Sequence, residues 1–139
     1  MILLDTGPIV ALFDPKDGAH KRARETLQSI REPLVTTVPV LTEAFHLLDP
    51  ASQGSAALRA FVSGGGARVF DLGDEKLWRA FELMETYRDQ PMDLADASLV
   101  AAAESLRTTR VFTLDRSDFV VYRARIGRSL RGFRLVHRR

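Results

Sequence analysis

The sequence predicts an α/β fold, a three-layer α/β/α sandwich with a central, mostly parallel sheet. Short apolar runs at residues 2–4, 34–36, 67–72 and 110–114 alternate with helical patterns, the order that strand–helix–strand units need. The length of 139 residues suits one domain with one core. A composition 45% apolar and 27% charged is globular rather than disordered or fibrous.

The elements follow in order. Ile2-Leu3-Leu4 is short, apolar and ends at Asp5. Residues 7–13 make a short helix with Pro8 in its first turn, where proline is tolerated. Residues 17–30 carry Ala23, Leu27 and Ile30 at helical spacing, and Pro33 breaks that helix before the strand at 34–36. Residues 38–48 form a helix with a broad apolar stripe, and 55–62 a weaker one. Gly64-Gly65-Gly66 is a turn signal ahead of the strand at 67–72. Residues 74–87 place Leu77, Trp78, Phe81 and Met84 on adjacent turns. Residues 93–106 are alanine-rich and read as a buried helix leading into the strand at 110–114. Residues 132–136 are a fifth strand candidate, suited to a sheet edge.

Composition excludes several classes. No apolar run approaches the roughly 20 residues of a membrane helix, and the first residues lack the basic stretch of a secretory signal. Zero cysteines exclude disulfides, thiolate metal sites and a cysteine nucleophile, and fit a reducing cytoplasm. There is no phosphate-binding glycine loop and no serine–histidine pairing. The net charge of +2 is unevenly spread: from Val120 onward seven arginines stand without an acid, so residues 1–119 sum to −5. The arginine-rich segment reads either as a solvated terminus or as a contact for an anionic partner, since the guanidinium fork suits phosphate.

The acids fall in a pattern. Ligands of parallel sheets sit at the strands' carboxyl ends. Asp5 and Asp115 directly follow strands, Asp93 and Asp96 open a helix that returns to that same edge, and Glu43 lies early in the helix after the second strand. Singly, each has a structural reading: Asp5 and Asp93 as helix caps, Asp96 as a capping-box partner, Asp115 as a turn residue, Glu43 as an exposed helix position. Together they repel unless a cation holds them. An all-oxygen donor set points to a hard cation such as Mg²⁺ or Mn²⁺. His46, three residues after Glu43, reads as a packing residue rather than a ligand.

Four segments, MILLDTGPIVAL, VLTEAFHLL, PMDLADASLVAAAE and VFTLDRSDF, resemble the PIN-domain family, specifically its VapC-type toxin ribonucleases from toxin–antitoxin pairs. The resemblance covers nearly the whole chain and implies one PIN-like domain over residues 1–139. It implies that Asp5, Glu43, Asp96 and Asp115 are a catalytic quartet binding Mg²⁺ or Mn²⁺, that Asp93 and Asp118 add to the metal site, and that Thr6 and Thr113 orient ligands or a water. It further implies cleavage of RNA by metal-activated water, a cognate antitoxin, a homodimer and no membrane association. Arg116, Arg123, Arg125 and Arg128 are the expected RNA contacts. Two other readings stand beside it. One is a non-catalytic PIN-like RNA-binding domain. The other is an aspartate-based phosphatase, which would need an acid two residues after Asp5, where this chain has Gly7.

Overall fold

The computed structural model describes residues 1–136; His137, Arg138 and Arg139 lie outside the described residues. Chain order runs β1 (Ile2–Leu4), α1 (Thr6–Phe13), α2 (His20–Ser29), β2 (Leu34–Thr37), α3 (Val38–Leu47), α4 (Gln53–Ser63), β3 (Arg68–Phe70) and α5 (Gly73–Thr86). It continues through α6 (Leu94–Leu106), β4 (Arg110–Phe112), α7 (Arg116–Phe119), β5 (Arg123–Ile126), β6 (Ser129–Gly132) and β7 (Arg134–Leu135).

Five strands form one sheet in the order β3-β2-β1-β4-β7, and every neighbouring pair is parallel. Central β1 aligns Leu3 with Val35 on one side and Val111 on the other. Successive side chains of a strand point to opposite faces. Ile2, Leu3 and Leu4 are each 1% exposed or less, so both faces of β1 are covered. Helix α1 packs with α2, α3 and α4, while α6 packs with α5, α3 and β2. The alanine-rich sequence of α6 explains its depth: seven consecutive residues, Ala97 to Ala103, are inaccessible to solvent, and short side chains allow that close approach. Gly54 serves the same end at the start of α4, where a Cβ would collide with the Phe13 carbonyl oxygen.

The expected elements are present with shifted ends. Helix α2 begins at His20 rather than 17, because the Asp17 carboxylate accepts the Ala19 N–H at 2.8 Å and holds a local turn. Helix α4 begins earlier than expected, since Ser52 caps it by accepting the Ser55 N–H at 3.1 Å. Strand β3 stops at Phe70, where Asp71 turns the chain by accepting the Gly73 N–H at 3.2 Å. Strand β4 stops at Phe112, and the Thr113 hydroxyl accepts the Asp115 N–H at 3.0 Å.

The arginine-rich segment departs most from expectation. Its last part is a sheet edge, as expected, but only Arg134–Leu135 pair with β4. Before it, β5 and β6 form an antiparallel hairpin, with Arg123 opposite Gly132 and a turn through Gly127 at φ +63°. Ala124 and Ile126 face the core while Arg123 and Arg125 face solvent.

Candidate active site

Because all five strands are parallel, their carboxyl ends share one edge. The chain steps from β1 outward to β2 and β3, then returns to β4 on the other side of β1. That reversal opens a crevice between β1 and β4 at the carboxyl edge. The two ends are tied directly: the Asp5 N–H donates to the Phe112 carbonyl at 3.0 Å. An open cleft of about 690 Å³ lies here, with Asp5, Glu43, Asp93, Asp96, Asp115 and Asp118 in its wall, together with Thr6 and Arg116. A Cβ on Gly7 would meet the Leu114 side chain at 3.4 Å, so α1 and the β4–α7 connection pack in contact here.

Each acid is set by its element. Asp5 stands at the N-cap position of α1 yet caps nothing there; it is buried, and its Oδ2 accepts the Thr113 hydroxyl at 2.7 Å. The same hydroxyl accepts the Asp115 N–H, so one threonine joins Asp5 to Asp115. Asp93 does cap α6, accepting the Asp96 N–H at 2.8 Å, and this puts Asp96 in the first turn. Asp115 caps α7 through Oδ1, which also accepts the Ser117 hydroxyl at 2.9 Å. Glu43 is positioned from the start of α3, where Thr37 caps the helix and shares a 2.6 Å hydrogen bond with Ser98 on α6.

Electrostatics joins the six acids. Burial, opposed by hydrogen bonds from the Thr113 hydroxyl and the Thr6 backbone, pushes Asp5 up to about 6, with Glu43 and Asp93 adding to the rise. Asp96 is pushed up to about 7, first by burial and then by Asp5, Asp93 and Asp118. Burial also raises Glu43, and Asp93 beside it adds repulsion. Asp118 rises to about 6 through burial and its neighbour Asp115. Asp115 alone goes down: burial opposes its charge, but hydrogen bonds from Asp118 and Ser117 outweigh it. The cleft holds more negative charge than it can solvate.

Two features escaped sequence reading. The buried Tyr122 donates its hydroxyl to Asp96 Oδ2 at 2.8 Å, although nothing in the run VVYRAR marks it. Ser117 supports Asp115 in the same way. The expected RNA contacts divide. Arg116 lines the cleft. Arg123 and Arg125 lie on β5 and Arg128 in the hairpin turn, away from the residues that line it. Arg123 is engaged locally, its Nη1 donating to the carbonyls of Val120, Val121 and Tyr122 at 2.9–3.1 Å.

The profile of the PIN-domain family, described as PIN domain, matches residues 2–124. The chain belongs to the PIN-domain family. This PIN domain is 28% identical over 124 residues to Ribonuclease VapC26 of Mycobacterium tuberculosis, covering 88% of this chain and 92% of that one. In fold it is similar to VapC20 of the same species, described as a Sarcin-Ricin loop cleaving toxin. The TM-score is 0.78 at 21% identity, over 84% of this chain and 92% of that one. A toxin–antitoxin complex from Klebsiella pneumoniae matches at TM-score 0.67 and 18% identity, over 87% and 92% of the two chains.

PIN-domain nucleases of the VapC type depend in general on a metal, and the residues here fit one. All donors are oxygens, the group that hard cations prefer. Asp5 and Asp96 carry raised pKa values that a cation would reverse. The buried Thr6 hydroxyl lies in this wall without a hydrogen-bond partner, although it favours the charged form of Glu43. Among the described residues, no three Asp, Glu or His side chains are already arranged to hold an ion.

Proposed function

We propose that this PIN domain is a Mg²⁺- or Mn²⁺-dependent endoribonuclease and the toxin of a type II toxin–antitoxin pair. The observation that carries this reading is the convergence of six acids on one cleft at the crevice between β1 and β4. The names of its relatives support the substrate class and the antitoxin. The unit is a single domain over residues 1–139, acting on cytoplasmic RNA.

Asp5, Glu43, Asp96 and Asp115 would hold the cation, with Asp93 and Asp118 contributing to the same metal site. A cation bound there supplies Lewis acidity, lowering the pKa of an attacking water and offsetting charge on the phosphate. Thr113 fixes the Asp5 carboxylate, and Thr6 offers its unpartnered hydroxyl to a water or ligand in the cleft. A charged Asp115, with its depressed pKa, is ready to coordinate at neutral pH. The attacking group is water rather than a ribose hydroxyl; by resemblance to the family the P–O3′ bond breaks and the 3′ oxygen leaves with a proton, giving a 5′-phosphate and a 3′-hydroxyl. A phosphatase reading has no second acid to work with, because Gly7 stands two residues after Asp5.

An acidic cleft repels RNA, and arginines offset this. Arg116 meets phosphate in the cleft, and Arg123, Arg125 and Arg128 extend the basic surface along the hairpin. Single-stranded RNA tests both halves of this reading in one assay. Wild type is expected to cut it, with binding that weakens steeply with salt, since about 0.7 counterions leave per phosphate neutralised. Arg123→Ala/Arg125→Ala/Arg128→Ala should flatten that slope and leave metal affinity unchanged. An unchanged slope with reduced thermal stability would assign these arginines to packing alone.

A homodimer is supported by apolar surface that this fold leaves uncovered. Val38 and Leu47 on α3 are 59% and 60% exposed, and Trp78 and Phe81 on α5 are 56% and 46% exposed.

A further inference from the structure

We infer that Tyr122 is a positioning residue for Asp96, brought to the active site by the docking of the C-terminal hairpin. The inference rests on the reading that Asp96 holds the cation. Tyr122 is fully buried, and its hydroxyl donates to Asp96 Oδ2 at 2.8 Å. That bond occupies one carboxylate oxygen and restrains the group, which lies in the cleft wall. An outer hydrogen bond of this kind orients a ligand before the metal arrives.

The tyrosine ring is itself held. Phe119 meets it edge-on at 5.2 Å between ring centroids, and Tyr87, at the C-terminal end of α5, does the same at 5.2 Å. The backbone beyond Tyr122 is tied down from two helices. The Arg123 N–H donates to the Tyr87 hydroxyl at 2.9 Å, and the Arg125 N–H donates to Glu104 on α6 at 2.6 Å. Glu104 is fixed in turn by a two-pronged pair with Arg79, at 2.8 and 2.9 Å. Segments far apart in sequence thus converge on one hydroxyl aimed at one carboxylate. A ring held only for packing would need no hydroxyl, as Phe119 beside it demonstrates.

Tyr122→Phe keeps the ring and removes the O–H. Mn²⁺ binding to the full chain, measured by calorimetry in the absence of RNA, is expected to weaken about 10- to 100-fold. Cleavage should recover toward wild type as Mn²⁺ is raised. In an Asp96→Asn background the same change should have no additional effect on Mn²⁺, whereas a structural role would persist there. Equal Mn²⁺ affinity in Tyr122→Phe and wild type would overturn the assignment, as would an undiminished loss from Tyr122→Phe in the Asp96→Asn background. Wild type that binds no Mn²⁺ at all would overturn the metal reading of the cleft, and this assignment with it.

Discussion

Asp96→Asn is expected to abolish cleavage while making the metal-free protein more stable. The amide is a poor ligand for a hard cation, and loss of a direct ligand should exceed the roughly 100-fold that outer partners cost. The stability gain comes from linkage. Asp96 titrates near 7 and Asp5 near 6 in the folded protein, against 3.8 for an ordinary aspartate. Both groups bind protons more tightly when folded, so their contribution favours folding at low pH and is withdrawn as pH rises from about 4 to about 7. The asparagine removes the larger share of that loss. In chelator at pH 8 the variant's Tm should exceed wild type by a few degrees, as about 1 kcal/mol gives in a domain this size. At pH 4 the two should coincide. A variant that cuts RNA like wild type would reduce Asp96 to a helix-terminal residue.

Glu104→Ala should produce the largest loss of stability among single changes outside the apolar core. Its side chain is 10% exposed and that of Arg79 16%, and the pair is bidentate. Removing the acid leaves a mostly buried guanidinium uncompensated and frees the Arg125 N–H, at a cost of about 2–4 kcal/mol. Tm should fall by roughly 10 °C. Burial opposes the Glu104 charge, but Arg79 and the Arg125 amide outweigh it and hold the pKa below 4.5. Its stabilisation is therefore present above that value and lost on acidification. A drop of under a degree in thermal denaturation would contradict this. By contrast, the exposed pair Arg88–Glu85 is 69% and 75% accessible and should matter little.

The central strand was legible because it is buried on both faces and reads as a continuous apolar run, Ile2-Leu3-Leu4, whereas the exposed edge strand β3 was marked by the glycine turn before it. Element ends were not, because single side chains decided them: Asp17 delayed α2, and Ser52 advanced α4. The acids were legible as a group through topology, since a parallel sheet gathers the residues after each strand at one edge. The division of labour among them was not. That Asp93 caps while Asp5 does not depends on bonds reaching across the fold, such as Thr113 to Asp5 over 108 positions. Tyr122 was invisible for the same reason, because its partner lies 26 residues away with no periodic pattern between them. The hairpin was missed although Arg123-Ala124-Arg125-Ile126 alternates polar and apolar. Arginines crowd that stretch of sequence and read first as a charge run, which hides the period of two.

The central claim is that a cation held by these carboxylates cuts RNA. The most direct measurement uses one single-stranded RNA with protein freed of metal by EDTA, then reconstituted with Mn²⁺, mapping product ends in the same reaction. The expected result is no cleavage in EDTA, full recovery with Mn²⁺, and fragments bearing 5′-phosphate and 3′-hydroxyl ends. Cleavage that continues undiminished in excess EDTA, or fragments ending in a cyclic 2′,3′-phosphate, would contradict it.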